Sequence, residues 1–382
     1  MNRKIFKMLA FLVTLSMLAA CAPAATPPAE EAPAPTPAQE EPAPAAPAPT
    51  PALDEEQSFF KVGKATITMA GTFFVALADS LANACYEHGL IASPDDLLVL
   101  DAGWDHAREI ENIDTFIAQG YDLIFVNSTN PYAVVDMIDR AAAAGIIVIC
   151  IDSYVSGGDR VTVVYSDNEQ NGRQVGLEFV NEVGDMEIYS IMLSGVRGNI
   201  AGEQRRTGLM AGVLEARLGV SEEEAWTLAH QMNSDLIANG YAEHTEAGFI
   251  IDGQGWGNWS ITDILQDAND LIVRTYGSLN TIFAENDQML FGGMQAAEDA
   301  GLEGILFAAA ADGELRTFDY IREGRIVAVG QNSPVRIGEV AARIAHEVLV
   351  QGVDPASYPD TVTTPAVAVT RRNVDEQYQF GF

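Results

Sequence analysis

Short apolar stretches rich in Val, Ile and Leu alternate with longer stretches in which apolar residues recur every three or four positions, from Lys61 onward. The short stretches have the composition of β-strands, and the longer ones have the periodicity of amphipathic helices. Glycine commonly follows the helical stretches, where a helix C-cap favours a left-handed residue. This alternation predicts an α/β fold with parallel sheets covered by helices.

Nine of the short stretches are typical of strands, which is more than one small sheet contains. They cover residues 65–69, 97–100, 122–126, 146–151, 161–165, 188–193, 281–284, 305–308 and 326–329. The length of 382 residues independently suggests two domains. We therefore expect more than one sheet, with helices between consecutive strands.

The first 57 residues follow a different pattern. Three basic residues within the first seven positions precede an apolar stretch at 9–18, which is too short to span a bilayer comfortably. A basic segment followed by a short apolar one is typical of a signal peptide, which we assign to residues 1–20. The segment ends in Leu18-Ala19-Ala20-Cys21, which resembles the lipobox of bacterial lipoproteins. The resemblance implies lipidation of Cys21; an ordinary cleavage site with a chance cysteine is the alternative.

Residues 21–57 are almost entirely Ala, Pro, Thr, Glu and Gln, and eleven of the 17 prolines lie there. Proline removes backbone donors and favours extended polyproline II, so this composition predicts a solvated, semi-rigid spacer. A lipidated Cys21 followed by such a tether would hold the globular part away from a membrane surface.

The charge of the chain excludes one class of partner. Lys and Arg number 21 against 54 Asp and Glu, a net charge of -33. This charge would repel nucleic acids, so we expect no DNA or RNA binding. An anionic membrane surface is an equally poor partner for the protein surface, and any membrane association would depend on the lipid anchor.

Polar residues follow the predicted strands, at the edge where ligands bind in doubly wound sheets. They lie at 71–74, 101, 127–130, 152–153, 166–168, 194–195, 285–287, 312–313 and 331–332. Carboxylates, amides and aromatic rings together suit a neutral polyhydroxylated ligand. Asp152, Asn286 and Asp312 have a second interpretation as helix N-caps.

The order of these segments resembles the ribose- and galactose-type periplasmic binding proteins of ABC importers. The resemblance rests on Phe73-Phe74, the segments 123–127, 144–152, 166–168 and 282–287, and Asp312-Gly313. It implies two doubly wound, Rossmann-like lobes joined by three hinge crossovers, with the ligand in the cleft between them. Crossovers near residues 166, 331 and 360 would assign 58–166 plus 332–360 to the N-terminal lobe and 167–331 plus 361–382 to the C-terminal lobe.

The resemblance also implies a set of ligand-binding residues. They are the aromatic wall Phe73 and Phe74, the amide Asn127, the carboxylate Asp152, the cation Arg205, the stacking ring Trp256, and the polar contacts Asn286, Asp312 and Gln331. Gly71-Thr72 stands where the ribose-type pattern has asparagine and proline, and Ala311 replaces an aromatic residue. These departures make ribose itself doubtful and leave the polyol class in place.

The resemblance implies a lipid-anchored, extracytoplasmic binding protein that captures a sugar by hinge closure and delivers it to ABC permease subunits, as a monomer. No nucleophile elbow, phosphate loop or zinc-protease motif is present in the sequence. A calcium-loop spacing from Asp167 to Glu178 falls on a predicted helix. We therefore expect no enzymatic activity, no cofactor and no metal. A sensory receptor, or a receptor for a nucleoside or signalling furanose, is the alternative.

Overall fold

The computed structural model describes residues 58–128 and 130–382, and the described residues belong to one compact unit. The assigned signal peptide, the tether and Cys21 lie outside the described residues. Among the residues that are described, no helix is both long and apolar enough to cross a membrane.

The strands of the described chain form two sheets. They are β1 (Val62–Thr66), β2 (Leu98–Asp101), β3 (Leu123–Val126), β4 (Ile147–Ile151), β5 (Val163–Ser166), β6 (Ile188–Ser194), β7 (Ala242–His244), β8 (Phe249–Trp256), β9 (Thr281–Ala284), β10 (Leu306–Ala309), β11 (Ala328–Gly330), β12 (Thr361–Thr364) and β13 (Ala368–Thr370). Each of the nine predicted stretches overlaps one of these strands, although β1 begins three residues before the stretch predicted at 65–69.

Helices connect most consecutive strands. They are α1 (Thr72–Glu87), α2 (His106–Gln119), α3 (Val135–Ala143), α4 (Asn168–Val183), α5 (Ile200–Leu218), α6 (Glu222–Asn239), α7 (Ile261–Arg274), α8 (Asp287–Asp299), α9 (Leu315–Glu323), α10 (Pro334–Leu349) and α11 (Val374–Gln377). Local sequence fixes many of their ends. The carboxylate of Asp105 caps α2 by accepting from Ala107 N at 2.9 Å, and Gly120 ends that helix with a φ of 62°.

The first sheet has the order β12-β5-β4-β3-β1-β2, and all its pairs are parallel. The second has the order β13-β11-β10-β9-β6-β8-β7, with antiparallel pairs only at its two edges, β11 with β13 and β7 with β8. Buried aliphatic clusters cover both faces of each sheet. The expected fold class, two doubly wound α/β lobes, is confirmed.

The chain crosses between the lobes three times. The first two crossings lie between Ser166 and Asn168 and between Gly330 and Pro334. The third differs from the prediction, because β12 pairs with β5 and so belongs to the first lobe. The chain therefore crosses after Thr364 rather than at Asp360. The sequence of β12, with three threonines and one valine, lacks the apolar pattern that would have identified a strand.

Hydrogen bonds hold the three crossings together. Ser166 Oγ lies 3.0 Å from Thr364 Oγ1, joining the first crossing to the third. Asn171 Nδ2 donates to the carbonyl oxygen of Gln331 at 3.2 Å, and Asn171 Oδ1 accepts from Val367 N at 3.3 Å. Gln331 N donates to the carbonyl oxygen of Val367 at 2.9 Å. The hinge is thus a narrow band of paired backbone segments.

Residues 215–251 form the end of α5, then α6, the edge strand β7 and the start of β8. Ser221 Oγ caps α6 by accepting from Glu224 N at 3.3 Å, and three glutamates occupy its first turn, where the helix dipole favours anions. This segment covers one side of α5 in the second lobe.

Glycines bring α4 and α5 unusually close. A Cβ atom on Gly172 would lie 2.2 Å from the carbonyl oxygen of Arg205, and one on Gly212 would lie 2.0 Å from that of Arg173. Any side chain at these positions would push the helices apart. The contact fixes the position of Arg205 on α5.

Candidate ligand-binding site

Two predicted residues of the first lobe meet at the carboxyl edge of its sheet. Asn127 follows β3 and is fully buried, and Asp152 follows β4. Asn127 Nδ2 donates to Asp152 Oδ2 at 3.0 Å and to Ser153 Oγ at 2.8 Å. The amide therefore orients a carboxylate, which is suited to accept hydrogen bonds from hydroxyl groups.

The charges of the second lobe act on Asp152 across the cleft. Burial raises the pKa of Asp152 to about 6, while nearby Arg205 lowers it and Asp312 raises it. The hydrogen bond from Asn127 and the charge of Lys64 also lower this pKa. Because Arg205 and Asp312 belong to the second lobe, this electrostatic coupling indicates that the predicted residues of both lobes face one cleft.

Arg205 and Asp312 form a buried ion pair on the second lobe. Arg205 Nη2 lies 3.1 Å from Asp312 Oδ1, and both side chains are less than 10% exposed, at 8% and 9%. Arg205 Nε donates to Asn168 Oδ1 at 2.8 Å, and Asn332 Nδ2 donates to Asp312 Oδ1 at 3.3 Å. These contacts hold both charged groups in place.

The helix-cap interpretation applies to only one of the three residues for which it was considered. Asn286 caps α8, since its Oδ1 accepts from Met289 N at 3.0 Å. Asp152 is not the N-cap of any helix in the described chain, and α9 has Glu314 rather than Asp312 at its N-cap position. Asp152 and Asp312 therefore keep their carboxylates available for other partners.

Gln331 lies at the second crossing and is fully buried. Its Oε1 accepts from Arg336 Nε at 3.1 Å. Within the described part of the chain, Gln331 Nε2 has no hydrogen-bond partner. A buried amide nitrogen without a partner is costly, so this group offers a donor to a ligand at the hinge.

The predicted aromatic wall lies in the first turn of α1. Phe73 and Phe74 pack edge to face with ring centroids 5.5 Å apart. The ring centroid of Phe74 lies 6.1 Å from that of Trp104 in the same lobe, and the ring centroid of Phe73 lies 5.8 Å from that of Phe382 in the second lobe. The wall therefore borders the interface between the lobes.

Trp256 has different neighbours from those that the prediction requires. Its ring lies 4.4 Å from Arg197 Cζ and 5.9 Å from Arg206 Cζ. The ring that lies beside Arg205 is Trp259, at 5.5 Å. Positive φ angles of 46° at Asn258 and 64° at Trp259 turn the chain after β8. Trp259 is thus the aromatic neighbour of the Arg205–Asp312 pair, and it also packs against the hydrophobic cluster of the second lobe.

Trp256 lines a separate pocket of about 430 Å³ between α5 and α6. Arg206, Glu203, Asn233 and Ile237 also line it. Arg206 forms a buried ion pair with Glu285 and donates to Asn233 Oδ1 at 2.7 Å. The structure therefore divides the nine predicted positions: Asn127, Asp152, Arg205 and Asp312 form one electrostatic group, and Trp256 belongs to a neighbouring pocket.

Two other groups near the site, Lys64 and Glu314, were not predicted. Lys64 is buried behind Asn127, and its charge acts on Asp152. Glu314 Oε1 accepts from Thr72 Oγ1 at 3.0 Å, a direct hydrogen bond between the lobes. Lys64 precedes the stretch predicted as the first strand and lies within β1 in the structure, so the sequence pattern did not indicate its burial.

Comparisons with known proteins agree with this architecture. A model of the periplasmic binding protein domain matches residues 66–352. The ribose import binding protein of Salmonella typhimurium is 24% identical over 295 residues, which cover 76% of this chain and 86% of the relative. Proteins of this family bind substrates and are not enzymes.

Two solved structures show the same fold. The myo-inositol binding protein of Caulobacter aligns with a TM-score of 0.66 at 20% identity. The alignment covers 84% of this chain and 96% of the Caulobacter chain. The arabinose-binding component of an ABC transporter from Shewanella sp. ANA-3 has a TM-score of 0.65 at 20% identity, covering 83% of this chain and 94% of its own. The chain belongs to the periplasmic binding protein family, as a member of its ribose- and galactose-type sugar-binding branch.

Proposed function

We propose that this protein is the lipid-anchored, extracytoplasmic substrate-binding component of an ABC importer, and that it captures a monosaccharide or related polyol between its lobes. The observation that carries the proposal is the placement of Asp152 with Asn127 on one lobe, opposite Arg205 with Asp312 on the other. A ligand that contacts both pairs would stabilise the closed arrangement of the lobes.

The chemistry of the site favours a neutral, hydroxyl-rich ligand. The two carboxylates accept hydrogen bonds from hydroxyl groups, and Arg205 and the free Nε2 of Gln331 donate hydrogen bonds to ring or hydroxyl oxygens. Phe73, Phe74 and Trp259 supply faces for the C–H surface of a ring. The relatives are named for ribose and the solved structures for arabinose and myo-inositol, all neutral polyols, which supports the same class here.

We propose a transport role for the whole chain, on the basis of its assigned N-terminal segments together with the candidate ligand site. The assigned signal peptide and Cys21 would place it outside the cytoplasmic membrane, and the proline-rich tether would let the lobes reach the permease subunits. The candidate ligand site is formed by the two lobes of one chain and needs no residue from a second copy, so we propose a monomer. Lipidation of Cys21 predicts that the variant Cys21→Ser is released from the membrane fraction. Continued membrane association of that variant would contradict the lipid anchor.

A thermal-shift screen of the full chain tests the ligand class. Pentoses, hexoses, inositols and nucleosides are added in turn, because a ligand at 100 times its dissociation constant adds about 2.7 kcal/mol to the free energy of unfolding. We expect one sugar or polyol to raise the melting temperature. Asp312→Asn should abolish that rise, since it removes an acceptor and the partner of Arg205.

The matched control is Asp299→Asn, which changes an exposed carboxylate at the end of α8. It should retain the full ligand-induced rise. A rise that persists in Asp312→Asn would place the ligand elsewhere, and a response to no sugar or polyol would contradict the ligand class.

A furanose or nucleoside is the second candidate ligand, because of the position of Trp259 beside Arg205. Trp259 lies beside the Arg205 guanidinium at 5.5 Å and offers a large flat surface next to the polar group. The solved arabinose-binding neighbour is described with arabinofuranose bound. The same screen separates the two classes, because nucleosides and free pentoses are tested individually.

A further inference from the structure

Lys64 places a positive charge in the interior of the first lobe. It lies in the middle of β1, between β2 and β3, and its side chain is 0% exposed. Neighbouring positions of the same sheet are aliphatic or aromatic, including Val99 and Phe125, its partners across the sheet. A lysine is rarely buried without a carboxylate partner, and none lies within 4.0 Å of Lys64 among the ion pairs of the described residues.

A series of contacts links the ammonium group of Lys64 to the candidate ligand site. Lys64 Nζ donates to Thr66 Oγ1 at 2.9 Å. That hydroxyl lies 3.5 Å from Asn127 Oδ1, a long contact, and Asn127 Nδ2 donates to Asp152 Oδ2 at 3.0 Å. The Thr66 hydroxyl has one proton and two acceptors within reach, the carbonyl oxygen of Thr68 at 3.3 Å and Asn127 Oδ1. When it donates to Asn127, it favours the amide orientation in which Nδ2 faces Asp152.

Charges of both signs surround this chain of contacts. The carboxylates that act on Lys64 are Asp152 and Asp101. The charges that act on Asp152 are Arg205, Asp312 and Lys64. Without Lys64, Arg205 would be the single cation among these groups, against the three carboxylates Asp152, Asp312 and Asp101. Lys64 therefore offsets part of the negative charge that collects beside the cleft.

The position of Lys64 is energetically unfavourable for the fold. Burial lowers the pKa of Lys64 to about 8, the charges of Asp152 and Asp101 acting in the opposite direction. An apolar side chain of similar length would fill the same space without desolvating a cation, and replacing buried charges in this way is often neutral or stabilising. Packing alone therefore does not explain a lysine here.

We propose that Lys64 is a positioning residue of the ligand site, a buried cation that acts together with Arg205 in favour of the ionised Asp152 carboxylate and is linked to it through Thr66 and Asn127. The role rests on the proposed function, because it matters only if Asp152 accepts hydrogen bonds from a ligand. The residue does not contact the ligand in this proposal; it acts on the group that does.

The test measures the ionisation of Asp152 directly and needs no ligand. The full chain carries aspartate labelled with ¹³C at the carboxyl carbon, and the resonance that Asp152→Asn removes is followed by NMR from pH 4 to pH 9. In Lys64→Met we expect the midpoint of the Asp152 titration to rise measurably above that of the wild type, since the loss of a nearby opposite charge disfavours the carboxylate. Thr66→Val, which retains the lysine, should produce a smaller rise.

Lys61→Met is the matched control. Lys61 is exposed one residue before β1, so its removal should leave the Asp152 midpoint unchanged. The melting temperature of Lys64→Met at pH 7 should equal or exceed that of the wild type. An unmoved Asp152 midpoint in folded Lys64→Met would overturn the proposal, and a lower melting temperature with that unmoved midpoint would assign the lysine a purely structural role.

Thr66→Val keeps the proposal testable if Lys64→Met does not fold, because an Asp152 midpoint that fails to rise in that variant would also overturn it. Failure of the proposed function is a separate result. A protein that binds no sugar or polyol in the thermal-shift screen can still show the Lys64-dependent titration of Asp152, whereas sugar binding with an unmoved midpoint would retain the function and reject the role of the lysine.

Discussion

Burial opposes the ionisation of Asp152, whereas its cationic and hydrogen-bonding partners favour the ionised carboxylate. Desolvation and the neighbouring Asp312 raise its pKa, whereas Arg205, Asn127 and Lys64 lower it. The result, about 6, lies above the usual range for aspartate and below neutral pH. The residue is therefore a carboxylate at pH 7 and loses its charge under mildly acidic conditions.

Ligand affinity should consequently depend on pH through Asp152. If the ligand requires the carboxylate, affinity is full above the pKa of about 6 and decreases as pH falls through it. The decrease should approach about tenfold for each further pH unit, as expected when one proton competes with binding. Isothermal titration calorimetry between pH 4.5 and pH 8, with the sugar identified in the thermal-shift screen, measures this dependence.

Asp152→Asn is the control for that titration. The amide retains the shape of the side chain and cannot titrate, so affinity should be weaker at pH 7.5 and almost constant across the same range. Equal wild-type affinity at pH 5 and pH 7.5 would show that the ligand does not depend on the Asp152 carboxylate.

Individual residues differ in how well their positions follow from sequence. Asp152 directly follows β4 and Asp312 comes three residues after the end of β10, so strand prediction places both at the correct sheet edge. Trp256 and Trp259 do not, because two consecutive residues with positive φ after β8 decide which ring turns toward Arg205. Backbone conformations of this kind at non-glycine residues have only weak sequence signals.

At the level of elements, the contact between α4 and α5 determines where Arg205 stands. The helices meet through glycines on both sides, and a Cβ atom on Gly212 would collide with the carbonyl of Arg173. Backbone atoms cannot move aside as a flexible side chain can, so the two helices would have to separate.

Gly212→Ala should therefore destabilise the protein despite the higher helix propensity of alanine. We expect a loss of about 1–3 kcal/mol in the free energy of unfolding, the range typical of overpacked interiors. Urea denaturation followed by circular dichroism measures it. Asn181→Ala, at an exposed position of α4, controls for helix propensity and should leave stability nearly unchanged; equal stabilities of the two variants would contradict the close contact.

The sequence predicted elements well where apolar periodicity was strong and poorly where it was absent. The nine strands of the two parallel sheet cores were identified, since buried parallel strands are short apolar runs. β7, β8, β12 and β13 were not, and three of them lie at sheet edges. β8 carries two glycines, an aspartate and a glutamine after its first three residues, and β12 is mostly threonine, so neither resembles a buried strand.

At the scale of the whole molecule, two kinds of contact connect the lobes. The crossings are tied by Asn171, whose amide binds both Gln331 and Val367, and these bonds lie at the hinge itself. Thr72 with Glu314, and Phe73 with Phe382, join the two lobes through residues outside the three crossing segments. A bond within the crossings can be kept during opening, whereas a contact between the bodies of the two lobes must break when they separate.

The Thr72–Glu314 hydrogen bond should therefore set part of the balance between open and closed forms. Burial raises the pKa of Glu314, while its bonds from Gln288 and Thr72 lower it, so the threonine also helps to satisfy a buried carboxyl group. Thr72→Val removes the donor and keeps the shape of the side chain. Because the bond exists only when the lobes are close, its loss should reduce the closed fraction of the ligand-free protein.

Apparent affinity falls in proportion to the fraction of protein in the binding-competent form. Thr72→Val should thus weaken binding of the identified sugar about three- to tenfold, the effect of losing one net hydrogen bond. Small-angle X-ray scattering should show a larger radius of gyration for the ligand-free variant and an unchanged one at saturation. Thr115→Val, which removes a hydroxyl bonded within α2, should change neither quantity. If Thr72→Val weakens binding without enlarging the ligand-free protein, Thr72 acts on the ligand itself rather than on the closure of the lobes.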